Sequence, residues 1–210
     1  MDSRARMPRR PFVLAGVVLL GLAVALGALV AAREQLGIDE AWMSEVLEWR
    51  GPVGEAISMV FDFLGGGWFA ILAVPIGAGI AFVLARRPWS ALDFVLASAV
   101  SAGLCQLLKA LFGRARPEEI LLPLDNGSFP SGHTTNAAVI VVSLGLLLRR
   151  AWIWVAGMLY LVAMAFTRTY LGAHWLTDTL GGALLGAGVA LLAWCLLLPK
   201  LRVEPLGARR

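Results

Sequence analysis

The chain has 210 residues, of which 59% are hydrophobic and 15% charged, and its mean hydropathy is +0.78. A water-soluble domain of this length cannot hide that much apolar surface, so the composition places the chain in the membrane class. The net charge of +4 does not point to nucleic acid, because the arginines sit in pairs beside apolar runs rather than on one basic face.

In chain order, the first predicted span runs from Pro11 to about Ala32, behind Arg4, Arg6, Arg9 and Arg10. It is too long for the apolar segment of a signal peptide. Further spans are predicted at Trp68 to Ala85, Ala91 to Phe112, Ser131 to Leu148, Ala151 to Thr167 and Trp175 to Leu198, each able to cross a core of about 30 Å at about 1.5 Å per residue. The N-terminal arginines, Arg86–Arg87, Arg149–Arg150, and Lys200, Arg202, Arg209 and Arg210 fall at alternate span ends. Those twelve of the eighteen Lys and Arg belong on the cytoplasmic side. The remaining six, Arg33, Arg50, Lys109, Arg114, Arg116 and Arg168, then face outward. The prediction is one all-α, polytopic membrane domain over residues 1–210, with six transmembrane helices and both termini cytoplasmic.

Between the first two spans, residues 33–66 carry two basic and seven acidic side chains. Ile38, Trp42, Val46, Trp49, Val53, Ile57, Val60 and Leu64 recur every three or four residues, a helical stripe broken near Gly51-Pro52. Two short amphipathic helices in the outer interface are predicted, with Trp42 and Trp49 at headgroup level. They form either a cap on the bundle or a substrate gate. The patch GGALLGAG, residues 181–188, is read as close helix packing, and Cys105 and Cys195 as small buried hydrophobes. Asn126-Gly127-Ser128 is formally a glycosylation sequon and is read as chance.

Three polar clusters are unexplained by span chemistry. In KALFGRARP, Lys109 and Arg116 are seven residues apart, two helical turns, and share a face on a continuous helix. Pro117 marks the helix end, and Arg114 lies off that face. Two aligned cations suggest an anion site, the alternative for Lys109 being snorkelling to the interface.

In FPSGHTTNA, Pro130 suits a helix start, and the N–H groups of Ser131, Gly132 and His133 behind it lack intrahelical acceptors. Such an end binds anions. Gly132 admits a ligand to the backbone, Ser131 adds a hydroxyl donor, and His133 titrates near neutral pH. An ordinary helix start with a polar interfacial histidine is the alternative.

In TRTYLGAHWLTD, Arg168 ends the fifth span, and His174 and Asp178 are four apart on one helix face. A carboxylate accepting Nδ1–H fixes the tautomer and leaves a lone pair on Nε2. His174 is thereby a candidate nucleophile. A structural His–Asp pair is one alternative. A zinc site of two histidines and a carboxylate is another, disfavoured by the three cations nearby. All three clusters map to the outer face of the predicted topology.

Together they resemble the signature of the type-2 phosphatidic acid phosphatase superfamily, K-x6-RP, PSGH and SR-x5-H-x3-D. Lys109 with Arg116-Pro117, then Pro130 to His133, then Arg168, His174 and Asp178 stand at those spacings, with Thr167 in place of serine. The match covers about a third of the chain. The resemblance implies that Lys109, Arg116, Arg168, Ser131 and the Gly132 N–H hold phosphate. It implies further that His174 attacks phosphorus to form a phosphohistidine, that Asp178 orients it, and that His133 protonates the leaving oxygen and then activates water. No metal or other cofactor is required.

The expected activity is that of a lipid phosphatase acting at the bilayer surface. An undecaprenyl-type polyprenyl diphosphate is the first choice of substrate, with phosphatidic acid and phosphatidylglycerol phosphate as alternatives. A vanadium haloperoxidase-like oxidant and a non-catalytic lipid-binding protein are the competing readings. The membrane spans weigh against the first, the His–Asp chemistry against the second.

Overall fold

Eight α-helices and one π-helical turn make up the regular structure of the computed structural model, which describes residues 8–33, 36–124 and 127–204. Arg4, Arg6, Glu34, Asn126, Arg209 and Arg210, used above, lie outside the described residues. The helices are α1 (Arg9–Ala32), α2 (Gly37–Glu48), α3 (Pro52–Gly65), α4 (Val74–Leu84), α5 (Pro88–Phe112), α6 (Gly132–Leu148), α7 (Ala151–Tyr170) and α8 (Leu176–Leu201), with the π-helical turn at Phe69–Ala73. No strand occurs among the described residues, in keeping with the helical apolar pattern.

Four helices, α1, α5, α7 and α8, are long and apolar enough to cross a membrane. A fifth span results if α3 and residues 69–84 are taken together, bent by 43°. The bend falls at Gly65-Gly66-Gly67, where Gly67 adopts φ +57°, a conformation glycine takes without strain. The predicted span Trp68 to Ala85 thus holds the π-helical turn and α4, which follow α3 directly after this bend. α6, expected as a span, has 17 residues. At about 26 Å it is roughly one turn short of the hydrocarbon core. The chain is a multi-pass membrane protein, and among the described residues four or five spans qualify by length and apolarity.

The apolar stripe of residues 38–64 does form two helices parted at Gly51-Pro52, with Pro52 in the first turn of α3, where its missing N–H costs nothing. The two are not free in an interface. α2 packs on α7 and α8, and α3 on α6 and α7. Trp42 Nε1 donates to Thr169 Oγ1 of α7 at 2.9 Å, while Trp49 stays 55% exposed. Both helices thus pack on the bundle.

α8 is the central helix, packed against α1, α5, α6 and α7. Its glycines allow this. A Cβ on Gly182 would lie 2.5 Å from the Ser131 carbonyl, and one on Gly186 2.2 Å from that of Thr135. The backbones of α6 and α8 touch where larger residues would hold them apart, and this brings the start of α6 against the start of α8.

The paired arginines gather at the other end of the bundle. Arg87 donates to the Leu147 carbonyl at 2.8 Å, Glu204 accepts from the Ser90 hydroxyl at 2.6 Å, and Lys200 lies 5.1 Å from the centre of the Trp89 ring. Both cysteines are free and buried.

Candidate active site

The ends of α5 and α7 and the starts of α6 and α8 converge at the end of the bundle opposite the paired arginines. α5 stops because Gly113 takes a left-handed conformation (φ +56°) and donates its N–H to the Lys109 carbonyl, an αL cap. Arg114 and Arg116 therefore lie on a non-helical stretch. The expectation that Lys109 and Arg116 share a helix face is corrected: the chain turns after Phe112 and brings Arg116 back by a loop. That loop is held by Ser128 N donating to Arg114 O at 2.8 Å and Leu121 N donating to Leu171 O at 3.0 Å.

The turn after α7 carries His174. Ala173 N and His174 N both donate to the Arg168 carbonyl, at 3.0 and 3.3 Å, so the backbone of the histidine is pinned to the end of α7. Its side chain is almost fully buried (4% exposed). Burial pushes the His174 pKa down to about 3. The Asp178 carboxylate opposes this, and the cations Lys109 and Arg116 add to it.

Asp178 Oδ2 stands 3.6 Å from His174 Nδ1, beyond hydrogen-bond range. Ser128 Oγ fills the gap, 3.4 Å from Nδ1 and donating to Asp178 Oδ2 at 2.5 Å. The expected direct contact is thus a relay through a hydroxyl. The other oxygen, Oδ1, accepts from Arg114 Nη1 at 2.6 Å. Arg114 Nη2 in turn donates to Asp39 Oδ2 of α2 at 2.7 Å. Asp39 also accepts from Thr177 N and Oγ1, at 2.8 and 2.7 Å.

On the opposite side of the imidazole, Nε2 lies 3.5 Å from Arg116 Nη1. Arg116 donates to the Ala173 carbonyl and, at 3.4 Å, to that of Gly127, which also accepts from Lys109 Nζ. Two cations thus meet over one carbonyl beside the free face of His174.

Ser131 is the N-cap of α6, its hydroxyl accepting from the Thr134 hydroxyl at 3.1 Å and from Thr134 N at 3.5 Å. Its own N–H donates to the Asp178 carbonyl at 3.0 Å. Helix α6 begins one residue later than the predicted span start at Ser131, and the Ser131 N–H is already used. Gly132 and His133 hold the first two helical positions, where intrahelical acceptors are missing.

His133 packs under α3. A Cβ on Gly66 would sit 2.3 Å from His133 Nε2, so only glycine admits the ring there. Nε2 donates to the Asp62 carbonyl at 3.0 Å and lies 3.1 Å from Asp62 Oδ1. The same carboxylate oxygen accepts from the fully buried Arg168 at 2.6 Å. Arg168 and His133 are therefore joined through Asp62.

A cavity of about 400 Å³ connects these groups. Lys109, Arg116, Gly132, His133 and His174 line its polar end, and Ile71, Leu72, Pro75, Ala99 and Ala102 its apolar wall. Of the eight residues selected from sequence, these five reach the cavity. Ser131, Arg168 and Asp178 stand behind them.

Ser128, Arg114, Asp39 and Asp62 were not selected. Ser128 and Arg114 sit within or next to the motifs, so their proximity was a usable signal. Asp39 and Asp62 had none, since their partners lie 71 to 138 residues away.

A buried histidine thus stands at one end of the helical bundle with a carboxylate behind it and cations before it. The chain belongs to the PAP2 superfamily, whose profile matches residues 90–202, and it is a phosphatase by class, as its relatives are named. It is 30% identical to phosphatidylglycerophosphatase B of Bacillus subtilis over 172 residues, covering 77% of this chain and 84% of that protein. It is 26% identical to an undecaprenyl-diphosphatase of Sulfolobus acidocaldarius over 57% of this chain and 61% of that one. Among solved structures, a transmembrane PAP2-type phosphatidylglycerolphosphate phosphatase from Bacillus subtilis superposes with a TM-score of 0.76 at 26% identity, over 85% of this chain and 93% of that chain.

Proposed function

We propose that the protein removes a terminal phosphate from a membrane lipid through a phosphohistidine, without a metal. The observation that supports this most directly is that His174, Lys109, Arg116 and His133 line one cavity together with an apolar wall. A charged head beside an apolar channel fits a lipid phosphate and leaves the acyl or prenyl chain in the membrane.

In the reaction, the Nε2 lone pair of His174 forms a bond to phosphorus as the bond to the leaving oxygen breaks. The departing electron pair takes a proton from His133. Lys109, Arg116 and the Gly132 N–H stabilise the equatorial oxygens as charge moves to them. In the second step His133 accepts a proton from water, whose oxygen attacks phosphorus, and the P–N bond breaks to return the lone pair to Nε2. Asp178, reached through Ser128, holds the Nδ1 proton throughout.

Polyprenyl diphosphate and phosphatidylglycerol phosphate both carry such a terminal phosphate. The relative aligned over more of this chain is named for the second, which puts that lipid beside the first choice from sequence. The positive-inside pattern supports an extracytoplasmic site in the cell membrane. The test is phosphate release by purified protein from lipids differing only in headgroup, with excess EDTA. Turnover is expected with EDTA and absent in His174→Ala. Loss of all activity on chelation, or turnover in the alanine variant, overturns the mechanism.

A further inference from the structure

Behind His174 lies a buried row of charges that extends beyond the family match at residues 90–202. Arg114 is clamped between two carboxylates, Asp178 at 2.6 Å and Asp39 at 2.7 Å, and all three side chains are at most 3% exposed. Thr177 ties the far end, donating both its N–H and its hydroxyl to Asp39.

The charge balance of this row bears on the chemistry. As His174 attacks phosphorus its ring becomes positive, and a carboxylate behind it stabilises that charge. Arg114 paired with Asp178 alone would cancel the charge of Asp178 just where it is needed. With Asp39 on its other side, two carboxylates share one guanidinium, and one negative charge remains in the row facing His174. Low exposure keeps solvent from screening it.

We propose that Asp39 of α2 is a positioning residue for the nucleophile. It holds Arg114 against Asp178 and supplies the second negative charge that keeps the Asp178 carboxylate effective towards His174. The inference rests on the phosphohistidine reading and gives the outer helix a role in the reaction.

The experiment compares full-length wild type, Asp39→Asn, and Asp39→Asn combined with Arg114→Gln, in detergent. Asp39→Asn neutralises the row. The double variant removes one charge of each sign and leaves Asp178 as the single anion. Asp39→Asn is expected to lower kcat about tenfold, one pK unit's worth of charge stabilisation, with KM for a lipid phosphate within about twofold. Orthovanadate, which bonds to the nucleophile as the transition state does, should bind more weakly by a similar factor, and inorganic phosphate with little change. The double variant should regain much of the lost kcat.

A purely structural role predicts the opposite: a double variant worse than the single, with vanadate and phosphate weakened alike. Either result overturns the proposal. If Asp39→Asn does not fold, the double variant against wild type still decides, since near-wild-type kcat supports the charge argument and a tenfold or larger loss refutes it. Vanadate binding needs no turnover, so a wild type that binds vanadate without releasing lipid phosphate would sink the phosphatase reading and leave the Asp39 comparison intact.

Discussion

The Asp178 carboxylate stands 3.6 Å from His174 Nδ1, with the Ser128 hydroxyl set between them at 3.4 Å from the ring nitrogen. Nδ1 therefore faces a hydroxyl that donates its own hydrogen bond to the carboxylate. Ser128→Ala leaves Nδ1 facing a gap in a site with no exposure. The expected loss in kcat is about tenfold, the cost of one buried unsatisfied donor, with KM little changed. Steady-state kinetics on a lipid phosphate check it; unchanged kcat would show that the relay is dispensable.

Arg114 is the most heavily used buried cation here, bonded to Asp39, Thr177 and Asp178. Replacing it by alanine leaves two carboxylates facing each other without a counter-charge. Breaking a buried pair in this way costs about 3–5 kcal/mol, so Arg114→Ala is expected to lower the unfolding midpoint in detergent by more than any single change at exposed Glu40. Thermal unfolding at constant detergent concentration reads this directly.

The pH dependence follows from His174. Its pKa in the fold is held at about 3, chiefly by burial, against an ordinary value of 6.5. The unfolded chain binds this proton first as pH falls. The stability contributed by neutral His174 is present above pH 6.5 and is lost progressively as pH drops from there towards 3. Nitrogen NMR of the ring should show no titration of His174 between roughly pH 5 and 8, where a free imidazole changes charge. The chain has only two histidines, so the assignment needs one variant. A His174 signal titrating near 6.5 would contradict the buried geometry.

His133 is proposed to protonate the leaving oxygen, and its removal should matter most when that oxygen leaves badly. With a lipid phosphate, His133→Ala is expected to lower kcat about 100-fold or more. With p-nitrophenyl phosphate, which needs no proton to leave, the phosphorylation step should fall far less, and phosphohistidine should accumulate because water activation is also lost. Acid-quench trapping of labelled enzyme distinguishes the two steps. Equal losses on both substrates would remove His133 from the acid role.

Asp62 occupies donors of Arg168 and His133, two of the residues proposed to serve the phosphate. Asp62→Asn removes the competing charge and keeps the shape. Inhibition by inorganic phosphate is expected to tighten about tenfold, the scale of one charged hydrogen bond. Weaker inhibition would mean that Asp62 supports the anion site instead of competing for it.

Composition and apolar periodicity by themselves determined the membrane class and the helical fold, and the spacing of three motifs, each local in sequence, determined the family and the eight residues proposed to act on phosphate. Local spacing works because helix ends, caps and i,i+4 neighbours are fixed by a few adjacent residues. Tertiary structure decided the rest. It placed Lys109 beside Arg116 by a glycine-ended helix and a returning loop, where a continuous helix had been predicted. It set α3 and the following helix at 43° across three glycines and gave α6 only 17 residues. It also brought Asp39 and Asp62 from the acidic outer segment into the site. Those two carboxylates meet partners that lie in α6, α7 and α8 and on the loop after α5, and no pattern along the chain encodes such a meeting. Only the close approach of the outer helices to the bundle, permitted by Gly66 under His133 and by the burial of Asp39 against Arg114, creates it.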